Sequence, residues 1–68
     1  LLNSDFRIYR NLDSRINWEY SASSYFSYCD VFDGLGRPVS INSEASAGIY
    51  WVRFYLPDGS PKVSKFFL

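Results

Sequence analysis

The chain has 68 residues, of which seven are basic, seven are acidic and one is a cysteine, and it contains no histidine. The balanced charge leaves no basic field that would attract nucleic acid or an anionic membrane surface. A single cysteine excludes an internal disulfide, and without histidine there is neither an ordinary zinc site nor a histidine-dependent catalytic triad. No apolar run approaches the roughly 20 residues that a transmembrane helix needs, so no transmembrane segment is predicted.

Large aromatic side chains are the other notable feature of the composition. Phenylalanine, tyrosine and tryptophan make up 21% of the chain, and each such ring can bury roughly 150–250 Å². Because so short a chain buries only about 60% of its unfolded surface, we expect a few rings to stabilise a single domain over residues 1–68. The first residue is Leu1 rather than methionine, so we expect this domain to be a piece of a longer protein.

Two short strands are predicted at the beginning of the chain. Apolar and polar side chains alternate over residues 6–9 and again over residues 16–20, which is the period of a half-buried strand. The asparagine and aspartate of residues 11–14 can satisfy their own backbone and so favour a turn. The pattern therefore predicts a β-hairpin.

A third strand is predicted over residues 25–33, after a polar break at residues 21–24. Alternation places four side chains on each of its faces: Tyr25, Ser27, Cys29 and Val31 on one, and Phe26, Tyr28, Asp30 and Phe32 on the other. We expect Cys29 and Val31 to be buried. Gly34 and Gly36 mark a tight bend, and Pro38 indicates that a short strand over residues 37–41 lies at a sheet edge.

The longest strand is predicted over residues 48–56, followed by a Pro-Asp-Gly turn at residues 57–60 and a returning strand over residues 62–68. A side chain at Gly48 would clash with the neighbouring sheet, so this glycine is interpreted as structural. The inward side chains of the two strands are predicted to be Tyr50, Val52, Phe54, Leu56, Phe66 and Leu68. Five or six short strands joined by turns predict an all-β fold, a small antiparallel β-sandwich.

The opposite face of these last two strands is predicted to carry large apolar side chains mixed with cations. Its members are Ile49, Trp51, Arg53, Tyr55, Val63, Lys65 and Phe67. Such a face resembles an interaction patch. It is equally compatible with coverage by another strand or by a preceding domain, and the sequence leaves both interpretations open.

Few side chains are candidates for chemistry. Asp30, Asp33 and Glu19 are the acids nearest to one another in the predicted strands, and paired carboxylates about 5–9 Å apart can perform acid–base work. No cleft is predicted around them, so we expect no catalytic residues and no enzymatic activity. Cys29 lacks a histidine to activate it and is interpreted as a buried, inert thiol. A contact between Asp33 and Arg37 is expected to hold the glycine bend, and an exposed pair of that kind contributes at most about 1 kcal/mol.

Four segments in order carry a resemblance to a known family: Val31-Phe32-Asp33, Gly36-Arg37-Pro38-Val39, Gly48-Ile49-Tyr50-Trp51-Val52-Arg53 and Lys65-Phe66-Phe67-Leu68. In these segments the chain resembles the C-terminal sorting domains of the bacterial type IX secretion system. The resemblance covers about half of the chain and implies an immunoglobulin-like β-sandwich at the C-terminal end of a longer secreted protein. It implies passage through the periplasm to the cell surface or the extracellular space. We expect no cofactor and no metal site.

The function implied by the resemblance is that of a non-catalytic sorting module, with outer-membrane proteins of the secretion machinery and the upstream cargo domain as partners. We expect a partner to be bound by Trp51, Arg53, Tyr55, Lys65, Phe66, Phe67 and Leu68. The residues expected to have structural roles are Asp33, Gly36, Arg37, Gly48 and Tyr50.

Two other functions remain open from the sequence. One is a surface binding or adhesion module for a carbohydrate or a protein, because the rings of Tyr25, Phe26 and Tyr28 could stack on sugars, although core positions explain them better. The other is a spacer whose only partner is its neighbouring domain.

Overall fold

The computed structural model describes residues 6–21 and 26–68, and this part of the chain contains strands and no helix. The strands are β1 (Phe6–Arg10), β2 (Ile16–Tyr20), β3 (Tyr28–Asp33), β4 (Ile49–Tyr55) and β5 (Pro61–Phe67). They form an antiparallel sheet β1-β2 and an antiparallel sheet β3-β4-β5. The predicted all-β class and the small β-sandwich are confirmed.

The first hairpin forms as the alternating pattern predicts, with Ile8 opposite Trp18 at the centre of its register. Its turn is held by the side chain of Asn11, whose Oδ1 accepts the backbone N–H groups of Asp13 at 2.9 Å and Arg15 at 3.0 Å. This is the local self-capping that makes asparagine favourable in turns.

The second sheet has β4 at its centre, with β3 and β5 on either side. The turn between β4 and β5 occurs where the sequence predicts it. The N–H of Gly59 donates to the carbonyl of Leu56 at 2.8 Å, and the N–H of Leu56 donates to the carbonyl of Ser60 at 2.9 Å. Gly59 has φ of 89°, a conformation that favours glycine.

The segment between β3 and β4 connects the two sheets. The N–H of Ile16 donates to the carbonyl of Ser43 at 2.9 Å, and the N–H of Asn42 donates to the carbonyl of Ile16 at 2.7 Å. These bonds pair the start of β2 with the connecting segment, so the first hairpin is fixed against the second sheet by backbone as well as by side chains.

Two strand predictions need correction. The third strand begins at Tyr28 rather than at residue 25, because residues 26 and 27 form a bend. The alternation of faces therefore does not extend back to Phe26. Its ring is buried in the core, whereas the prediction placed it on the side of the sheet that faces away from Cys29 and Val31. Val31 is buried as predicted, and Cys29 is half-buried. The positions of residues 22–24 and Tyr25 lie outside the described residues.

The predicted edge strand over residues 37–41 is reduced to one bridge between Pro38 and Phe32. It is held by the N–H of Asp33 donating to the carbonyl of Arg37 and the N–H of Val39 donating to the carbonyl of Val31, both at 2.9 Å. Proline has no N–H with which to extend a ladder. The segment thus lies at the sheet edge, as expected, but does not continue as a strand.

The core lies between the two sheets. Within the described residues its buried side chains are Phe6, Ile16, Phe26, Val31, Tyr50, Val52 and Phe54. The Phe54 ring centroid lies 4.6 Å from that of Phe26 and 5.1 Å from that of Phe6. Four of these seven side chains are aromatic, so rings fill much of the core, while their contribution to stability stays a prediction.

Candidate interaction surface

The side of the β3-β4-β5 sheet that faces away from the core is the candidate site, and we call it the outer face. The β4–β5 register sets Ile49 opposite Phe67, Trp51 opposite Lys65 and Arg53 opposite Val63. The outward face predicted for these two strands is therefore present in the structure. Its residues are Ile49, Trp51, Arg53, Tyr55, Val63, Lys65 and Phe67.

Strand β3 adds residues to the outer face that the sequence did not assign to it. Its register places Tyr28 opposite Tyr55, Asp30 opposite Arg53 and Phe32 opposite Trp51. The alternation within β3 already grouped these three side chains, but the pairing of β3 with β4 was needed to bring them beside the ring-rich face. The outer face thus spans three strands.

Much of the apolar surface on the outer face is accessible. Phe67 is 72% exposed, Val63 is 59% exposed and Tyr28 is 52% exposed. Trp51 and Tyr55 are half-buried by their neighbours on the same face. Large apolar side chains that lie together and exposed on a sheet are typical of an interaction site.

Cations lie against the rings of the outer face. The guanidinium of Arg53 is 4.9 Å from the ring centroid of Phe32 and 5.5 Å from that of Tyr55, and the Nζ of Lys65 is 5.3 Å from the ring of Trp51. Exposed cation–π contacts of this kind contribute roughly 0.5–1 kcal/mol each. They restrict the rotamers of the side chains that a partner would meet.

The two cations differ in their acidic partners. An Nη of Arg53 lies 3.8 Å from an Oδ of Asp30. Lys65 has no carboxylate within ion-pairing distance in the described part of the chain. Within the described residues, the outer face therefore presents a positive charge without an ion-pair partner between Val63 and Phe67.

Two of the predicted partner-binding residues lie elsewhere. Phe66 and Leu68 point inward, are half-buried and pack against the core. Their inward position agrees with the predicted alternation, while a role for them in partner binding stays a prediction. The structure brings together Trp51, Arg53, Tyr55, Lys65 and Phe67 from the predicted set.

The bend after β3 contains the contact predicted between Asp33 and Arg37. One Asp33 carboxylate oxygen accepts the backbone N–H groups of Leu35 and Arg37, both at 2.9 Å, and the other accepts the Nε–H of Arg37 at 2.9 Å. Gly36 lies between them with φ of 84°. The N–H of Arg37 is the main cause that lowers the pKa of Asp33 below its ordinary value.

This lowered pKa predicts an acid-sensitive contribution to stability. Folding favours the ionised carboxylate of Asp33. Its contribution to the free energy of unfolding is therefore complete above the pKa that Asp33 has in the unfolded chain, and it is lost as the pH falls through the pKa that Asp33 has in the folded chain. We expect the free energy of unfolding to fall more steeply in the parent chain than in Asp33→Asn as pH decreases below about 5. Urea unfolding across this range measures the two slopes. Identical slopes would show that the bend contributes nothing through ionisation.

Tyr50 and Gly48 fix the entry to β4. The Tyr50 hydroxyl donates to the carbonyl of Ser46 at 2.7 Å and accepts its N–H at 3.2 Å. Gly48 has φ of 130°, and a Cβ placed there would meet nothing within 4 Å. The expected clash at Gly48 is wrong, and its structural role stays a prediction that now rests on the backbone conformation. The backbone conformation, rather than limited space, requires glycine at this position.

We therefore expect Gly48→Ala to lower the free energy of unfolding by about 1–3 kcal/mol, which is the cost of a strained backbone conformation. Gly34→Ala is the matched control, because Gly34 does not have positive φ and its added Cβ would lie 3.4 Å from the carbonyl of Ile49. Chemical denaturation compares the two variants. Equal losses would refute the conformational explanation.

The side chains considered for chemistry are engaged in other contacts. Glu19 pairs with Arg7 at 2.6 Å, and Asp30 and Asp33 pair with arginines as described above. Burial, and secondarily the charge of Asp30, raises the pKa of Cys29 to about 11. That thiol therefore stays protonated at neutral pH, in agreement with its interpretation as inert.

In the described part of the chain, grooves border the second sheet at two places. One, of about 340 Å³, runs beside β3 between Trp18 and Arg53. The other, of about 490 Å³, lies between the Asp33–Arg37 bend and the start of β4. Within residues 6–21 and 26–68, no group of three or more histidine, cysteine, aspartate or glutamate side chains is placed to hold a metal ion.

Searches against protein-family profiles, curated protein sequences and solved structures found no match to the chain. The likeness to type IX sorting domains accordingly stays a prediction from the four sequence segments. Among the described residues, no helix is long and apolar enough to cross a membrane.

Proposed function

We propose that this chain is a non-catalytic docking module that binds a partner protein through the outer face of its β3-β4-β5 sheet. The observation that carries this proposal is the exposed cluster of Val63, Lys65 and Phe67 beside Trp51 on that face. Rings and cations that become desolvated at the centre of an interface supply most of the binding energy in many complexes.

The contacts on the outer face suit a protein partner. The guanidinium of Arg53 is held between the rings of Phe32 and Tyr55, 4.9 and 5.5 Å from their centroids, so less side-chain freedom is left to lose on binding. Lys65 offers a charge that forms no ion pair with the described residues, which favours a partner with a carboxylate at the matching position. The carboxylates of Asp30 and Asp33 are engaged by arginines and supply no free acid–base pair.

In its specific form, the proposal is that the module directs an upstream cargo domain to the outer-membrane proteins of the type IX secretion machinery. The support for this step is the resemblance in sequence. Of the segments that carry the resemblance, the aspartate and the arginine are Asp33 and Arg37, which contact each other at the bend after β3. The lysine at the start of the last segment is Lys65, which lies on the outer face. The antiparallel two-sheet architecture is compatible with the immunoglobulin-like sandwich that the resemblance implies.

Export of a fused reporter tests this proposal. The chain is joined to the C-terminus of a reporter that carries a signal peptide, in a bacterium that has the type IX machinery. We expect the reporter at the cell surface or in the medium, and its retention in the periplasm when the machinery is deleted. A reporter that stays in the periplasm of the intact host would contradict a sorting function.

A surface binding or adhesion module is the second candidate, and the pairing of Tyr28 with Tyr55 favours it. Their rings are stacked with centroids 4.4 Å apart, and Tyr28 is half exposed. Stacked, accessible rings can also bind sugars.

A glycan and protein binding screen with Trp51→Ala and Tyr55→Ala variants distinguishes the candidates. Binding that both variants abolish, together with a reporter that is not exported, would favour adhesion.

A further inference from the structure

The backbone of β5 has one side that pairs with β4 and one side that does not. Gly48 and Leu68 exchange two hydrogen bonds, of 3.2 and 2.9 Å, at the end of the β4–β5 ladder. Because hydrogen-bonded pairs alternate along an antiparallel ladder, Lys62, Ser64 and Phe66 direct their N–H and C=O groups toward β4. Val63, Lys65 and Phe67 direct theirs the other way.

This second side, which we call the β5 edge, has no partner strand within residues 6–21 and 26–68. Strand β5 is the last strand of its sheet, and in the described part of the chain no other strand pairs with it. Among residues 6–21 and 26–68, none of the backbone hydrogen bonds outside the strand ladders involves Val63, Lys65 or Phe67, and the alternation in the β4–β5 ladder turns their N–H and C=O groups away from β4. An edge of this kind is a template to which an extended segment of another chain can add.

The side chains at the β5 edge determine which segment would fit. Val63, Lys65 and Phe67 all project onto the outer face, so a strand added at the β5 edge would extend that face and place its own side chains beside them. Cross-strand pairs are stabilised by apolar contacts and by opposite charges, and like charges directly opposite are destabilising. Lys65 therefore favours an acidic residue opposite it, and Val63 and Phe67 favour apolar residues on either side.

We propose that the β5 edge binds an extended segment of a partner protein by strand addition, and that this segment alternates an apolar, an acidic and an apolar side chain against Val63, Lys65 and Phe67. The inference rests on the proposed function, because it assumes that a partner protein docks at the β4–β5 hairpin. It adds the mode of docking and the chemistry of the bound segment.

A second copy of this chain fits the β5 edge less well. Antiparallel pairing centred on Lys65 would place the Lys65 side chains of the two copies directly opposite each other. A shift of the register by two residues in either direction, which keeps the same side chains on the outer face, leaves the two lysines as diagonal neighbours about 7–8 Å apart. In these registers like charges approach, so the uncompensated lysine disfavours self-association.

Amide hydrogen exchange of the full chain, followed by NMR, tests the inference with two synthetic peptides. The first has the sequence Thr-Val-Thr-Glu-Thr-Val-Thr, which reads identically in both directions and so suits either strand orientation. The second has lysine in place of glutamate. We expect the first peptide to slow exchange at Val63, Lys65 and Phe67 and to leave Ser64 and Phe66 unchanged. The lysine peptide should bind about fivefold more weakly.

Variants separate strand addition from nonspecific contact. Val63→Pro removes an N–H that β4 does not use and should abolish the protection, whereas the matched Val63→Thr should retain it. Lys65→Glu should reverse the preference between the peptides. Three results would overturn the inference: no added protection at the alternate amides, equal binding of both peptides, or protection that rises with chain concentration and needs no peptide.

The outcome is distinguishable from that of the reporter experiment. Alternating protection with a reporter that is not exported would refute the sorting function and leave strand addition at the β5 edge standing. Export of the reporter without alternating protection would support the sorting function and refute strand addition at the β5 edge.

Discussion

Phe54→Ala is expected to unfold the chain. Phe54 is fully buried and lies at the centre of the ring cluster, against Phe6 and Phe26. Truncating a buried phenylalanine to alanine costs about 3–5 kcal/mol, because apolar contacts are lost and a cavity remains. A single core in a chain of this size rarely supplies more than about 3–5 kcal/mol. The variant should therefore populate mainly the unfolded state at 25 °C.

Urea denaturation followed by near-ultraviolet circular dichroism measures this effect. Phe67→Ala is the matched control, because it makes the same substitution at a side chain that is 72% exposed. We expect the control to change the free energy of unfolding by about 0.5 kcal/mol or less. Similar losses in the two variants would mean that the inner and outer faces of the second sheet are wrongly assigned.

The double variant Val63→Ser/Phe67→Ser is expected to keep its fold and to lose docking. Both side chains are mostly exposed on the outer face, so their removal costs the core nothing. At an interface, by contrast, loss of central apolar contacts costs about 2 kcal/mol or more, which corresponds to a roughly thirtyfold weaker affinity. Export of the fused reporter should fall accordingly, and the denaturation midpoint should not.

The matched control for this variant is Leu12→Ser/Leu35→Ser. Leu12 and Leu35 are the most exposed large apolar residues of the described chain, at 104% and 80%, and they lie in turns rather than on the outer face. We expect export with this control to equal that with the parent chain. Equal loss in both double variants would indicate a general solubility effect, and equal retention would remove the outer face from the docking site.

The elements that the sequence predicted best are the two hairpins, whose paired strands are adjacent in sequence and joined by short turns. In β4, polar and apolar residues do not alternate cleanly, but the turn at residues 57–60 sets the register with β5 and so groups Tyr50, Val52 and Phe54 on one face, which is buried. The first hairpin is similarly determined by the turn at Asn11. In both hairpins a local turn fixes which side chains share a face.

The errors occur where the backbone departs from regular structure without a local signal. The run from Tyr25 to Phe32 carries rings on both predicted faces, so composition does not distinguish a strand from the bend that turns Phe26 into the core. Pro38 correctly indicated an edge, but the length of the pairing depends on hydrogen bonds to β3. Gly48 was recognised as structural for a steric reason, while the actual requirement is a positive φ.

The candidate site was predicted in its β4–β5 half and missed in its β3 half. Asp30 and Phe32 reach the outer face only because β3 pairs with β4 across a long connection, residues 34–48. Pairing between strands distant in sequence is decided by the packing of the whole chain. The salt bridge of Arg53 with Asp30 could not be predicted without that pairing, and so neither could the contrast with Lys65, which has no ion pair among the described residues.

Site-directed photocrosslinking during export tests docking at the outer face most directly. A photoreactive amino acid is placed at Val63 or Phe67 on the outer face, and at Leu12 or Leu35 in the distant turns, in the reporter fusion. We predict crosslinks from positions 63 and 67 to an outer-membrane protein of the secretion machinery, and none from positions 12 and 35. Crosslinks from the turns alone, or none from the outer face while the reporter is exported, would contradict the account.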